Sequence, residues 1–380
     1  MLDTKLLERI KALNIVGYGL YPVELSSLIK EKENASAVVV ALNNADTDGV
    51  LLRLLETNAE DVFEGAKYLA STLGAKEIIL NLPDYYEDKK AIETKAQKYG
   101  VTVECGIVNV RQHEDDLVIH LVTAYELNRA LKGKREEGIF ISVNGGELKK
   151  VNGQVTLRKL VGDVKGVRTS YTIKNAADLD LTVEKAGISN GVLEAITNDT
   201  CVVSLVAKKL LTDRHQSCGK CVFCREGLLQ LEAMVKDMTI GRGKLEYLDL
   251  SDEIGQAMIY STPCSMGQNS SLLPLSAFKA FPEEFEAHIK KRKCPANQCL
   301  AFKKYYVDPF TCVGCTKCMA VCPHDSIDGA EGYIHVVFDN TCSKCGKCLE
   351  ACPNGSIHVT TDALPRLPNK MMRVGRFNKL

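Results

Sequence analysis

The 380-residue chain has no surplus of charge of either sign, because 48 Lys and Arg residues balance 48 Asp and Glu residues. This balance argues against a general nucleic-acid-binding protein, whose phosphate contacts need a basic surplus. No apolar run approaches the length of a membrane span. The first residues, MLDTKLLERIKAL, are charged and amphipathic and lack the apolar core of a signal peptide. We therefore expect a cytoplasmic protein that binds neither nucleic acid nor membrane.

Cysteine is nearly absent from the first half of the chain. Of 16 cysteines, only Cys105 lies in residues 1–200, within a predicted strand, and we expect it to be a core residue. All the others lie in residues 201–380. Clustered cysteines in a large chain without a signal peptide indicate a reducing compartment and metal binding rather than a disulfide framework.

Two copies of the spacing C-x2-C-x2-C-x3-C-P stand near the carboxyl end, at residues 312–323 and 342–353. This spacing is typical of bacterial two-cluster ferredoxins, in which the fourth Cys of each copy reaches the cluster of the other. It predicts one [4Fe–4S] cluster bound by Cys312, Cys315, Cys318 and Cys352. It predicts a second bound by Cys342, Cys345, Cys348 and Cys322. Structural zinc or free thiols are the alternative interpretation.

A third set of thiols has the spacing C-x2-C-x2-C and consists of Cys218, Cys221 and Cys224. A cubane needs a fourth ligand, and Cys264 is the next cysteine along the chain. Lys220 and Arg225 stand beside these thiols and would offset the negative charge of a cluster. We predict a third [4Fe–4S] cluster, with a tetrahedral zinc site as the alternative that the spacing leaves open.

The segment EAHIKKRKCPANQC, residues 286–299, contains His288, Cys294 and Cys299. One imidazole and two thiolates without a further C-x-x-C favour zinc over an iron–sulfur cluster. The fourth ligand is not evident, and Cys201 is a weak candidate because TNDTCVVSLV reads as a strand. Two buried free cysteines beside a surface histidine are the alternative.

Residues 1–136 alternate strand-like runs with amphipathic stretches, which predicts an α/β domain with a parallel sheet. Strands are expected at 35–42, 76–82 and 101–108. Helices are expected at 59–74, with Asn58 as the N-cap, and at 85–100.

The rest of the chain divides into five predicted segments. Asn-Gly turns between short apolar runs predict a small β-rich module at 137–182, and helical spacing dominates residues 183–290. Residues 291–299 form a linker with zinc ligands, and 300–362 a ferredoxin α+β domain. The basic tail, 363–380, is expected to be disordered or to dock on a partner as an arm.

These motifs resemble a known family. SCGKCVFCREG (217–227) with the downstream CSMG (264–267) is similar to the cluster motif of the NADH-oxidising flavoprotein subunit of complex I. The segment 286–299 followed by two ferredoxin motifs resembles the β subunit of electron-bifurcating [FeFe] hydrogenases and related NAD(P)-linked formate dehydrogenases. The resemblance implies that residues 137–182 form a soluble-ligand-binding (SLBB-like) β-grasp module. It also implies an anaerobic setting and partners of the hydrogenase or formate dehydrogenase type, with ferredoxin-like or flavoprotein subunits.

The first half of the chain departs from this family at its flavin and nucleotide motifs. The family's glycine-rich flavin loop corresponds best to VGYGLYPVEL (16–25), which keeps Gly17 and Gly19 but has the bulky Leu20 and Tyr21 where close approach is needed. Its acidic segment corresponds to NNADTDGV (43–50), which keeps Asn44 but lacks the Glu-Pro pair. We therefore expect a degenerate, flavin-domain-like α/β fold without FMN or NAD(P), in which Gly17, Gly19 and Asn44 are relic flavin positions.

We expect an iron–sulfur electron-transfer subunit of an oxidoreductase complex that relays electrons through three [4Fe–4S] clusters and carries one zinc. No residues have the arrangement of a catalytic triad or an acid–base pair, so substrate chemistry is expected on a partner. The alternative is an FMN-containing NAD(P)H:acceptor subunit with a divergent flavin loop. A structural scaffold with redox-silent clusters is a third possibility.

Overall fold

The computed structural model describes residues 2–19, 22–108 and 112–378. The chain forms two compact units, which are described separately. The first comprises Met1–Asn198, Leu205–Met234 and Glu246–Pro282. The second comprises Asp199–Ser204, Val235–Leu245 and Glu283–Leu380.

The amino-terminal part of the first unit is built on a parallel sheet with the strand order β3-β2-β1-β4. Its strands are β1 (Ala37–Ala41), β2 (Glu77–Leu82), β3 (Thr102–Cys105) and β4 (Leu117–His120). The helices around it are α1 (Thr4–Ala12), α2 (Leu25–Glu31), α3 (Arg53–Leu73), α4 (Lys89–Gln97) and α5 (Leu121–Leu131). Strand β1 is buried along its whole length, as expected for a β-branched run in the middle of a parallel sheet.

The three predicted strands of this sheet are present, whereas β4 is an addition. Helix α3 begins at Arg53, before the predicted start, and Asn58 is a kink inside it with φ −132° and ψ 27° rather than its N-cap. Cys105 ends the edge strand β3 and is exposed, so the prediction of a core cysteine is wrong. Helices α3 and α5 pack so closely that a Cβ on Gly65 would lie 1.9 Å from the carbonyl oxygen of Ala124.

The following module is a mixed sheet with the order β6-β5-β9-β7-β8, in which β5 and β9 are parallel. Its elements are β5 (Ile139–Val143), β6 (Leu148–Val151), α6 (Leu157–Val161), β7 (Gly166–Thr169), β8 (Thr172–Asn175), α7 (Val183–Ala186) and β9 (Val192–Ile196). Strand β9 lies beyond the predicted boundary at residue 182. The sheet extends past it because β9 fills the place between β5 and β7.

Helices dominate the next part of the chain: α8 (Val202–Gln216), α9 (Val222–Thr239), α10 (Glu246–Ser261), α11 (Ser265–Ser270), α12 (Leu272–Ala280) and α13 (Pro282–Lys290). The segment after Cys201 is helical, so the prediction of a strand there is wrong. Its β-branched valines are compatible with either structure. Here they are buried on the packed side of helix α8.

The carboxyl-terminal part of the second unit contains two small antiparallel sheets, β10 with β13 and β11 with β12. Its elements are β10 (Lys304–Val307), α14 (Lys317–Ala320), β11 (Ile327–Asp328), β12 (Val336–Val337), α15 (Lys347–Ala351) and β13 (Ile357–Thr360). Cysteine side chains make up much of the core between them.

The basic tail packs against this part of the chain, contrary to the expectation of a disordered segment. Met372 and Phe377 contact its core. Arg373 forms a β-bridge with Tyr333, and the carbonyl of Met372 accepts a hydrogen bond from the amide of Ile334 at 2.9 Å. Backbone pairing and two apolar side chains thus order the tail as far as residue 378.

Candidate metal centres

Four buried side chains of the second unit converge in one place. Their ligand atoms all lie within 4.8 Å of one another, and the residues are Cys201, His288, Cys294 and Cys299. The Nε2 atom of His288 lies 3.4 Å from the Sγ atoms of both Cys201 and Cys299. The two sulfurs are 3.7 Å apart. A tetrahedral zinc ion bound at ordinary bond lengths would separate its sulfur ligands by about 3.8 Å, so these distances fit one zinc ion.

Neighbouring groups orient the ligands of this four-residue site. The Nδ1 atom of His288 lies 2.7 Å from the carbonyl oxygen of Glu284, one helical turn earlier in α13, which turns Nε2 towards the sulfurs. The amide of Ser204 donates to Cys201 at 3.4 Å, and its hydroxyl lies 3.2 Å from Cys299. Second-sphere contacts of this kind are typical of ligating histidines and thiolates.

The protonation equilibria of the site are strongly coupled. Burial lowers the pKa of His288, but hydrogen bonds with Cys201 and Cys294 outweigh it and raise that pKa to about 10. Hydrogen bonding to Cys201 lowers the pKa of Cys294 and raises that of Cys299. The thiols thus compete for protons that a bound cation would displace. Cys201, only a weak candidate in the sequence, completes the set because the fold places the start of α8 beside α13.

The helical part of the first unit gathers a second group of thiols. Cys224, in the first turn of α9, is buried, and its pKa is raised to about 12 by burial and by the negative charges of its three neighbours, which are Cys264, Cys218 and Cys221. Cys264 directly precedes α11. Gly267, in the first turn of α11, has no room for a side chain, since a Cβ would lie 2.5 Å from Thr262. Close packing at Gly267 therefore holds the Cys264 turn in place.

Two small cavities occupy the core of the carboxyl-terminal part. One is lined by the cysteines Cys312, Cys315, Cys318 and Cys352. The other is lined by Cys342, Cys345, Cys348 and Cys322. The fourth cysteine of each motif thus faces the first three cysteines of the other motif. The pKa of Cys318 is raised to about 11 by burial and by the nearby charge of Cys312.

Backbone amides point at several of these sulfurs. The amide of Ser326 donates to Cys322 at 3.2 Å, and that of Ser356 donates to Cys352 at 3.3 Å. The amide of Lys344 donates to Cys342 at 3.4 Å. Hydrogen bonds to ligating sulfur stabilise negative charge and are one of the means by which a protein sets a cluster's reduction potential.

Of the three positions predicted to be relics of a flavin site, Gly17 and Gly19 lie in one loop and Asn44 lies in the loop after β1. The amide of Gly17 donates to the carbonyl of Val23 at 2.7 Å, and the amide of Tyr18 donates to Thr123 Oγ1 at 2.8 Å. Gly19 has φ +122° and abuts the side chain of Asn43. The side chain of Asn44 makes two hydrogen bonds with the backbone of Val108. Leu20 and Tyr21 lie outside the described residues.

A cavity of about 440 Å³ opens at the carboxyl edge of the amino-terminal sheet, where ligands of open α/β sheets bind. It is lined by residues that follow β1, β2 and β3 and by residues 215–218, which include Cys218. The described lining contains the carboxylates of Asp46 and Asp84 and no Lys or Arg. This cavity therefore adjoins the Cys218 thiol group, and His215 is the basic side chain in its described lining.

Next to this cavity lies a buried network of charged groups that joins Asp46 and Asp48 of the acidic segment to residues that no motif in the sequence had marked. Lys209 Nζ lies 3.0 Å from Asp48 and 3.1 Å from Asp213. The guanidinium of Arg168 donates two hydrogen bonds to the two carboxylate oxygens of Asp48, at 3.0 and 3.1 Å. Burial raises the pKa of Asp46, which contacts His120 and accepts a hydrogen bond from Tyr171. Lys209 and Asp213 are four residues apart on α8, but Asp48 lies far from both Lys209 and Arg168 in the sequence, so only the fold could reveal its pairing with them.

Comparison with known protein families identifies two regions. Residues 206–288 match the iron–sulfur binding region of NADH-ubiquinone oxidoreductase F, and residues 306–359 match a 4Fe-4S dicluster domain. Over residues 206–288 the chain is therefore distantly homologous to the NADH-ubiquinone oxidoreductase F family. Its architecture is accordingly a mixed α/β fold with a parallel amino-terminal sheet, a helical 4Fe-4S region and a carboxyl-terminal dicluster ferredoxin domain.

The chain is also similar in sequence to two curated relatives. The chain is 32% identical over 165 residues to the NADP-reducing hydrogenase subunit HndC of Solidesulfovibrio fructosivorans, covering 42% of this chain and 34% of the relative. It is 28% identical over 107 residues to the mitochondrial NADH-ubiquinone oxidoreductase 51 kDa subunit of Neurospora crassa, covering 28% of this chain and 22% of the relative. The matched part thus spans about a third or less of the length of each relative.

The fold is also similar to that of a solved structure, an NAD⁺-reducing [NiFe]-hydrogenase in the H2-reduced state. The TM-score is 0.62 at 15% identity, and the match covers 75% of this chain and 62% of that one. Among residues 2–19, 22–108 and 112–378, no helix combines the length and the apolar character needed to cross a membrane.

Proposed function

We propose that this protein is an electron-transfer subunit of a multi-subunit oxidoreductase complex and relays electrons through three [4Fe–4S] clusters. The observation that carries the proposal is the exchange of the fourth cysteine between two cavities, with Cys352 in one and Cys322 in the other. Each of these cysteines is a ligand from the opposite motif, so the two clusters lie close together by construction. The group formed by Cys218, Cys221, Cys224 and Cys264 holds the third cluster.

The protein carries no flavin or NAD(P)H site of its own in this proposal. A flavin phosphate needs free amides or cations, whereas the amides of Gly17 and Tyr18 are already bonded within the protein. Asp84 would repel a phosphate in the neighbouring cavity, whose described lining has no Lys or Arg. The Lys209 amine, the buried cation nearest to the acidic segment, is paired with two carboxylates. The amino-terminal sheet is therefore a degenerate flavin-domain-like fold, and the module that follows it is an SLBB-like β-grasp unit.

Zinc is the metal proposed for the site of Cys201, His288, Cys294 and Cys299. Three thiolates and one imidazole at tetrahedral spacing favour zinc, and the site has no open side because all four residues are buried. Such a closed site is structural rather than catalytic. Cobalt substitution tests this assignment, since Co²⁺ with three thiolates and one imidazole gives strong visible absorption that Cys294→Ser should abolish and Cys105→Ser should leave unchanged.

The partners are proposed to be subunits of a hydrogenase or a formate dehydrogenase, with flavoprotein or ferredoxin-like components. This proposal rests on the similarity to a hydrogenase subunit and on the absence of a catalytic arrangement among the described residues. Co-purification of the tagged chain from its own anaerobic source would identify them.

The decisive experiment is analysis of the anaerobically purified full chain for iron, sulfide and flavin, followed by potentiometric EPR. We expect iron and sulfide for three cubanes, no released flavin and reversible signals from each cluster. Clusters that do not respond to potential would instead support a structural scaffold.

One observation favours a second candidate, an FMN-containing NAD(P)H:acceptor subunit. The cavity at the carboxyl edge of the sheet reaches Cys218, so a redox-active ring bound there would be adjacent to a cluster. Release of about one flavin per chain, lost in an Asn44→Asp variant, would establish this candidate and overturn the flavin-free proposal.

A further inference from the structure

The two halves of the dicluster domain repeat each other at an offset of 30 residues, which relates Cys312 to Cys342. Backbone pairing follows the same relation. The amide of Asp308 donates to the carbonyl of Ser356 at 2.7 Å, and the amide of Phe338 donates to that of Ser326 at 2.8 Å. The repeat allows residue-by-residue comparison of the surroundings of the two clusters.

The comparison reveals one chemical asymmetry beside the cluster cavities. Tyr305 and His335 hold equivalent positions, seven residues before the first cysteine of each motif, and each lines one cavity. The hydroxyl of Tyr305 donates to the carbonyl of Lys344 at 3.2 Å, so it is directed away from sulfur. The Nδ1 atom of His335, in contrast, lies 3.7 Å from Cys312 Sγ.

The residues packed around His335 keep its imidazole ring in this orientation. The residue is buried, with 2% exposure. Gly329 lies flat against the ring, where a Cβ would come within 2.5 Å of Cδ2. The preceding residue, Ile334, is held by its hydrogen bond to Met372 of the tail. The ring is therefore packed on one face and anchored through its backbone.

The hydrogen-bond inventory indicates which nitrogen carries the proton. Nε2 of His335 is buried and has no hydrogen-bond partner among the described residues. A proton on Nε2 would leave a buried donor unsatisfied, whereas a proton on Nδ1 is directed to the sulfur of Cys312. A neutral ring therefore donates from Nδ1.

We propose that His335 is a positioning residue that donates an N–H···S hydrogen bond to Cys312 and so gives the cluster of Cys312 a higher reduction potential than its symmetry-related partner. The bond is stronger when the cluster gains an electron and becomes more negative, so it stabilises the reduced state. An electron that enters the domain then resides on the cluster of Cys312. The inference rests on the proposed assignment of Cys312 as a cluster ligand.

The test is an EPR-monitored redox titration of the full chain with dithionite as the reductant. His335→Phe removes the donor, and His335→Asn keeps an N–H near the position of Nδ1. Tyr305→Phe is the matched control, because it removes a polar group at the equivalent position that does not reach sulfur. We expect His335→Phe to lower one midpoint by roughly 59 mV, a tenfold change in the equilibrium constant of a one-electron couple. His335→Asn should restore most of it, and Tyr305→Phe should move neither midpoint comparably.

Equal shifts in His335→Phe and His335→Asn would overturn the proposal, as would equal shifts of both clusters. If His335→Phe fails to assemble, Gly329→Ala provides the test, since it displaces the ring but keeps the imidazole. An unchanged midpoint in Gly329→Ala, with the ring shown to have moved by NMR, would then overturn it. Absence of cluster iron from the unmodified chain would instead refute the proposed function, so the two failures are distinguishable.

Discussion

The amino-terminal sheet domain and the cysteine-rich segments both bury polar groups, but they satisfy them in different ways. In the network next to the cavity, buried charges have partners of opposite sign within the protein, as in the pairing of Lys209 with Asp48 and Asp213. At the four-residue site, three buried thiols and an imidazole bring their ligand atoms within 4.8 Å of one another.

This difference distinguishes buried polar groups that are satisfied within the protein from buried polar groups that need a metal ion or cluster. A closed network of ion pairs needs nothing from outside, and it cross-links the segments that contribute to it. A buried group of thiols is stable in its ionised form only with an external cation or cluster. The contrast is a reason to propose metal binding at the cysteine groups rather than at the paired charges.

The largest effect is expected at the four-residue site. Cys294→Ser removes one ligand, and we expect loss of the bound metal together with much of the stabilisation that metal provides, which is roughly 10–16 kcal/mol for structural zinc. Metal analysis after gel filtration and thermal unfolding measure this, with the exposed Cys105→Ser as the control. If Cys294→Ser unfolds at the same temperature as the unmodified protein, the four-residue site does not stabilise the fold through a bound metal.

A smaller but substantial loss is expected when the ion network is broken. Lys209→Met leaves the buried carboxylate of Asp213 without its cation and leaves Asp48 with Arg168 alone, and breaking a buried pair in this way costs about 3–5 kcal/mol of unfolding free energy. Chemical denaturation measures the loss, and Lys208→Met on the exposed side of α8 is the matched control. Equal stabilities of the two variants would show that the network is not closed as described.

The same network should produce a pH dependence. Burial would raise the pKa of Asp48, but Lys209 and Arg168 outweigh it and lower that pKa below its ordinary value of 3.8. The stability from ionised Asp48 is therefore present above the unfolded-state pKa and is lost as the pH falls through the folded-state pKa. Asp48→Asn should flatten the acid limb of a stability–pH profile, whereas Asp115→Asn on the surface should leave the limb unchanged.

The smallest effect is expected in the tail. Phe377→Ala removes a contact with Phe310 and part of the packing of the tail, at a cost of about 1 kcal/mol. Hydrogen exchange should accelerate at the amides of Ile334 and Val374, which bond across the tail at 2.9 and 3.0 Å. Substitution of the exposed Asn369 is the control. Unchanged exchange would mean that backbone pairing alone holds the tail.

The sequence was most informative where chemistry depends on short spacing. The repeated cysteine motif predicted which thiols of the dicluster domain should meet, and the periodicity of residues 35–82 located two strands within one or two residues of their bounds. The sequence was less informative where tertiary contacts determine the secondary structure of a short segment. The valines after Cys201 fit a strand or a helix equally well, and Asn58 could start a helix or interrupt one.

By itself the sequence determined the spacing of the cysteine motifs and the alternation of strands and helices in the first half, because each depends on residues a few positions apart. Only the tertiary structure decided that Cys201 joins His288, that Lys209 lies between two carboxylates, and that His335 reaches Cys312. These pairs are separated by 87 residues for Cys201 and His288, and by 23 for Cys312 and His335. Contacts over such separations depend on how whole elements pack, which no local pattern encodes.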